Sequence, residues 1–240
     1  NMWRIPWLRF ITFDSDAPQL SPGQAGWPTA RLFEGAGHVY MRSAWDDPDA
    51  TWSFFGAGPR FAGHSLDDEG HFMIASKGWL VLRAGGRGDN NVDYYSRGSL
   101  VFNIVTIFDP QEQYAKVDGS RTDSERDGGI IRVDALGGAG TDTKHRGHIA
   151  AYRDSEKFTY SAADLTRAYS SAKSDEVTRQ YLYIKGEREF FVIFDRVGAT
   201  SAEYPKHWFL HIPTEPAVSG QETEITVGHV YSSQQPDYVT

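Results

Sequence analysis

Residues 63–86, GHSLDDEGHFMIASKGWLVLRAGG, hold the densest set of groups able to do chemistry. His64 follows a glycine and precedes three consecutive acids, Asp67, Asp68 and Glu69, with a second histidine at His71. A neighbouring carboxylate can orient an imidazole or raise its pKa, which makes His64 a candidate base. The plainer alternative is a solvated acidic turn. His64, Asp68 and His71 also have nitrogen and oxygen donors at a spacing that can converge on a metal, but no H-x-H or HExxH pattern supports it. His38, His145, His207 and His229 read as hydrogen-bonded structural groups, the ordinary role of histidine in a strand-rich chain.

Arg83, Arg87 and Arg97 lie close in sequence, and Tyr94 and Tyr95 stand just before Arg97. Aromatic faces stack on pyranose rings, and guanidinium groups pair with carboxylates or sulfates, so this combination suits a cleft for an acidic sugar. Aromatics filling a core would look the same in sequence. No G-x-S-x-G, Walker or dinucleotide motif occurs, and Gly85, Gly86 and Gly88 are not followed by the helix a phosphate loop needs.

These groups must be positioned by strands. Short apolar or aromatic runs at 38–44, 51–56, 71–76, 79–84 and 99–108 are separated by Gly, Pro or Asp. Similar runs follow at 130–136, 147–153, 157–162, 177–185, 189–197, 205–212 and 224–231, with Gly186 marking a hairpin. Residues 109–127 read as a polar loop, and 163–172 as the one short helix. Roughly a dozen strands predict an all-β fold with few or no helices, a large two-sheet antiparallel β-sandwich. Residues 1–31 read as an extended entry segment and 32–240 as the sandwich domain. No repeat supports a propeller or solenoid.

Composition narrows the function. The 240 residues carry a formal net charge of −8, against the basic face that nucleic-acid binding requires. A local arginine cluster can still hold an acidic polymer. Cysteine is absent, so disulfides and thiolate metal sites are excluded. No apolar run approaches the roughly 18 residues of a membrane span.

Five stretches together resemble the β-sandwich part of heparinase II/III-like polysaccharide lyases. They are GHVYMRSAWDDPDATWSFFGAGP at 37–59, GHSLDDEGHF at 63–72, the strand pair ending WLVLRAGG at 79–86, VTRQYLYIKGEREFFVIFDRV at 177–197 and KHWFLHIP at 206–213. The family turn reads approximately H-x-H-x-D-x-G-x-F. His64, Asp68, Gly70 and Phe72 match it, while Leu66 occupies the second histidine position.

The resemblance implies β-elimination on a uronic-acid-containing polysaccharide, with His64 catalytic. Its matched turn makes Asp68, Gly70 and Phe72 the scaffold of the site, while Arg83, Arg87, Tyr95 and Arg97 are the substrate-binding candidates on the chemistry of their side chains. The resemblance also implies a partner outside these residues, an α/α toroid domain carrying a tyrosine that faces His64 across the cleft. Both ends of the chain are then expected to be cut from a longer parent, and the isolated chain is expected to have little lyase activity. Relatives hold a zinc ion at positions that fall on Leu66, Arg83 and Phe102, so no cofactor and no metal ligand are expected here. A bacterial periplasmic or secreted setting is a further implication. The alternative is a non-catalytic carbohydrate-binding or structural sandwich.

Overall fold

The computed structural model describes residues 14, 16–58, 66–84, 98–112, 128–130 and 147–228. Within them the sequence alternates inward apolar and outward polar or aromatic residues, and this two-residue period builds two antiparallel meanders. The first sheet runs β1 (Ala30–Phe33), β2 (His38–Arg42), β3 (Trp52–Gly56), β4 (Phe72–Ala75) and β5 (Trp79–Val81), in that order. The second has the order β10-β9-β8-β7, from β7 (His148–Asp154), β8 (Phe158–Asp164), β9 (Ser174–Ile184) and β10 (Phe190–Ala199). Two small ladders complete the fold: β6 (Val105–Ile107) with β11 (Lys206–Trp208), and β12 (Ala217–Ser219) with β13 (Glu222–Glu224).

The two large sheets meet at Tyr181. It stacks on Phe55 of β3 with ring centres 5.2 Å apart, lies 5.4 Å from Phe72 of β4, and shares a 2.7 Å hydrogen bond with the Ser53 hydroxyl. Val39, Met41, Phe55, Phe72 and Ile74 from one sheet, and Val177, Tyr181 and Tyr183 from the other, fill one buried core. Such aromatic pairs add about 0.5–1.5 kcal/mol each beyond the area they bury. Glu189 accepts hydrogen bonds from Thr51, just before β3, and from Tyr183 of β9, and so ties the two sheets together.

The all-β sandwich is as expected, but several elements differ in extent. The run 99–108 is not one strand: residues Ser99–Val101 form a 3-10 turn, and only Val105–Ile107 pair with β11. The side chain of Asn103 interrupts the ladder by reaching across to other segments. The helix expected at 163–172 is replaced by the end of β8 and a three-residue 3-10 turn, Thr166–Ala168. Asp164 accepts the Thr166 N–H at 2.9 Å, a local side-chain bond that stops the strand and competes with helix formation. The sheet also begins earlier than the boundary expected at residue 32, since Ala30 of β1 already pairs with Met41. Of the strand expected at 224–231, residues 229–231 lie outside the described residues, and the described part holds the end of β13 and a bridge between Gly228 and Trp79.

Candidate functional site

The turn leading into β4 is held from below by a buried polar cluster centred on Asn103. Asp67, Glu69 and His71 are 2–3% exposed, so this acidic stretch is not the solvated turn that its composition alone allows. Gly70 has a φ of +90°, a left-handed conformation that suits glycine. Its N–H donates to the Gly56 carbonyl at 2.7 Å, locking the turn to the end of β3, while the His71 N–H donates to the Asp68 carbonyl at 2.9 Å. Phe72 then enters the core as the first residue of β4.

Asn103 uses every polar group it has. Its backbone N–H donates to His71 Nδ1 at 3.0 Å, and its amide donates to the carbonyls of Phe72 (2.8 Å) and Leu82 (3.1 Å). Its side-chain oxygen accepts the His211 N–H at 2.7 Å and lies 3.0 Å from His211 Nδ1. Its carbonyl accepts Arg179 Nη1 at 2.5 Å. One fully buried amide therefore joins the turn, the extension of β5, the segment after β11 and the second sheet.

Arg179 is the charged counterpart. It is 1% exposed on the inward face of β9, donates to the Gly70 carbonyl at 2.6 Å, and lays its guanidinium 5.5 Å from the Phe72 ring centre. Its charge is answered by a two-pronged contact with Asp195 of β10 at 2.6 and 2.8 Å, and Trp208 Nε1 donates to the same carboxylate at 2.9 Å. Two-pronged pairing of this kind fixes geometry as well as charge.

Electrostatics in the cluster keep its imidazoles neutral. Burial pushes the His71 pKa down to about 3, reinforced by the positive charge of Arg179 and by the nearby His211 and Arg83. His211 is lowered as well, chiefly by burial. Since His71 Nδ1 accepts a backbone N–H, its one proton sits on Nε2, and neither ring nitrogen offers a free lone pair to a metal. This removes His71 from the metal set that its spacing with His64 and Asp68 suggested.

Of the residues singled out in the sequence, Asp68, Gly70, Phe72 and Arg83 lie in this region, and His64, Arg87, Tyr95 and Arg97 lie outside the described residues. Arg83 follows β5, where Leu82 N–H meets the His211 carbonyl and Ala84 N–H meets the Val101 carbonyl. Its guanidinium stands 5.1 Å over the Phe102 ring. Leu66 packs against the hydrophobic core and Phe102 is 1% exposed within it. A permanently protonated guanidinium, a phenyl ring and an isobutyl group have no lone pair to give a dication, so these three positions do not fit zinc.

Asn103, Arg179 and His211 are the residues that sequence reasoning missed. One signal was available for Arg179: on the alternating β9 run it shares the inward register of Val177, Tyr181 and Tyr183, where an arginine must be paired.

With this geometry in hand, comparison with solved structures is informative. The fold is shared with heparan sulfate lyases. The heparan sulfate lyase HepC of Pedobacter heparinus superposes with a TM-score of 0.53 for a mutant form and 0.51 for another HepC structure, at 16% and 15% identity, over 89% of this chain. The heparinase III BT4657 gene product superposes with a TM-score of 0.53 at 18% identity over 80% of this chain. The chain spans only about a quarter of those proteins, 28% of HepC and 26% of the BT4657 product. No family model and no curated protein matches the sequence.

Proposed function

We propose that the chain is the β-sandwich domain of a polysaccharide lyase, forming one wall of a cleft in which a uronic-acid-containing polysaccharide is cleaved by β-elimination. The observation that carries this reading is the fold shared with heparan sulfate lyases over most of the chain, together with the family-like turn His64 to Phe72. In the proposed step His64 faces a uronate bound by its carboxylate. Either it takes the C5 proton itself as base, or it hydrogen-bonds that carboxylate while the toroid tyrosine takes the proton. The electron pair forms the C4–C5 double bond, the C4–O bond breaks, and an acid from the facing toroid domain protonates the leaving oxygen. Hydrogen bonds and positive charge at the carboxylate stabilise the enolate that develops. Arg83, Arg87, Tyr95 and Arg97 are proposed to hold the polymer, in a periplasmic or extracellular setting.

The rigid backing of the turn supports this assignment. A loop that must hold a base to within a fraction of an ångström needs a fixed support, and Gly70, Phe72 and His71 are bonded into the Asn103–Arg179 cluster. The zinc position of the relatives is proposed to be metal-free here, with Arg83 over Phe102 in its place.

The test is the full-length protein incubated with heparan sulfate, alginate and other uronate polymers, read by the absorbance of the C4–C5 unsaturated product. Unsaturated product that disappears in His64→Ala supports the reading. Cleavage to saturated ends, or full activity in His64→Ala, overturns it. Elemental analysis that finds stoichiometric zinc, lost on chelation together with thermal stability, would overturn the metal-free assignment.

A further inference from the structure

The first sheet carries a second concave feature that shares no residue with the Asn103 cluster. Tyr40 of β2 and Trp52 of β3 are on the outward register of the sheet, with ring centres 6.4 Å apart. At the end of these strands two loop tryptophans meet edge to face: Trp27 and Trp45, 6.2 Å apart with planes at 83°. Trp45 Nε1 donates to the carbonyls of Trp27 and Pro28 at 3.0 and 3.2 Å, so the corner between the indoles is held by the backbone and not by ring contact alone. Together with Pro28, Thr29 and Phe33 they line an open cleft of about 480 Å³. That is within the usual size of a small-ligand site, roughly 300–1,000 Å³.

Two arginines, Arg31 and Arg42, complete the lining, which contains no acidic residue although the chain as a whole has a net charge of −8. Arg42 lies 5.2 Å over the Trp45 ring and spends its Nε on the Ala44 carbonyl at 3.0 Å. Arg31 lies 5.6 Å over Phe33. The Nε bond and the stacking orient the Arg42 plane, Arg31 rests against the Phe33 ring, and no acceptor among the described residues takes the Nη groups of either arginine. Prepositioned guanidinium forks beside open aromatic faces recognise a flat, partly apolar ring bearing an anionic group.

We propose that this corner is a carbohydrate subsite for a pyranose carrying a carboxylate or sulfate, binding the polymer through residues outside the Asn103 cluster. The assignment rests on the polysaccharide reading of the chain. One indole faces the sugar ring, the other meets its edge, and Arg31 or Arg42 takes the anionic substituent.

The experiment is a titration of the chain with a short heparan sulfate oligosaccharide, following fluorine signals of fluorotryptophan-labelled protein. A neutral cello-oligosaccharide and a proline-rich peptide serve as competing ligands. Saturable shifts of Trp27, Trp45 and Trp52, with Trp79 and Trp208 unmoved, are expected. Trp27→Ala and Arg31→Ala, both at exposed positions, should each weaken binding about tenfold without lowering the melting temperature.

Binding that is unchanged in both variants overturns the subsite and leaves the lyase assignment standing. Tighter binding of the neutral sugar or of the peptide overturns it too, as does failure of the wild-type chain to bind the anionic oligosaccharide. Pocket binding as expected, combined with a full-length protein that yields no unsaturated product, overturns the lyase assignment alone.

Discussion

His71 Nδ1 accepts the backbone N–H of Asn103 at 3.0 Å deep inside the fold, and the burial of this ring, ahead of the charges of Arg179, His211 and Arg83, decides how it behaves in acid. A second proton on His71 would need the same lone pair, and would place a cation near Arg179 and Arg83 in a site that is 3% exposed. The folded-state pKa is therefore depressed to about 3, from 6.5. Above pH 6.5 the ring is neutral in both folded and unfolded chains and costs nothing. As pH falls from 6.5 towards 3 the unfolded chain takes up a proton that the folded chain refuses, so stability drops by up to about 1.4 kcal/mol per pH unit from this group. Urea unfolding at a series of pH values should show that slope, and His71→Gln should flatten it. Parallel profiles for the two proteins would exclude His71 as the cause.

Arg179 is expected to be among the most costly side chains to remove. Arg179→Met leaves Asp195 partly buried without its cation, and strips a donor from the carbonyls of Gly70 and Asn103. Removing one partner of a buried pair costs about 3–5 kcal/mol. Arg179→Lys should restore little, because a single ammonium cannot make the two-pronged contact with Asp195 and also reach both carbonyls. Denaturation midpoints for the two variants check this, and a lysine variant close to wild type would refute it.

Much of the fold was legible because inward residues recur with a strict two-residue period. The runs containing Val39 and Met41, and Tyr181 and Tyr183, give strands that the structure places where the pattern puts them. The departures come from side chains that compete with the backbone. Asn103 breaks the run after Ser99 by bonding to Phe72 and Leu82, and Asp164 caps the turn that replaces the expected helix. The partners of Asn103 lie 31 and 21 residues away and nothing in composition marks them, while the Asp164–Thr166 bond is local, two residues apart, but hidden in a run that reads as helix. Within the site, Gly70 and Phe72 could be singled out by their place in the turn. Asn103 and His211 could not, because what makes them central is a convergence of four segments that only the folded chain brings together.

Gly70 tests the turn itself. Its φ of +90° disfavours any side chain, and a Cβ there would lie 2.6 Å from Leu165 Cδ1. Gly70→Ala should destabilise the chain by about 1–3 kcal/mol through backbone strain, plus the cost of displacing Leu165. Combining it with Leu165→Val should recover the steric part and leave the backbone part. On the proposed role of His64, the same substitution in the full-length protein should lower turnover more than substrate binding, because it perturbs the turn that leads from His64 into β4. An Ala variant with wild-type stability would mean that the turn does not require the left-handed conformation.

A last prediction concerns the far side of the core, where Lys173 is fully buried with its ammonium 2.8 Å from Glu112 and 2.7 Å from the Gly129 carbonyl. It also lies 5.7 Å from the Tyr169 ring centre, while the Tyr169 hydroxyl donates to the Val105 carbonyl of β6. The pair thus ties residues 112 and 129 to the start of β9. Lys173→Met alone should cost about 3–5 kcal/mol, because it removes the ammonium 2.8 Å from the buried Glu112 carboxylate. Lys173→Met combined with Glu112→Leu should recover most of that loss, since apolar groups of similar size remove both desolvation penalties. The double-mutant cycle from urea melts measures the coupling directly. Additive single-site losses would show that the two charges are stabilised by their other neighbours and not by each other.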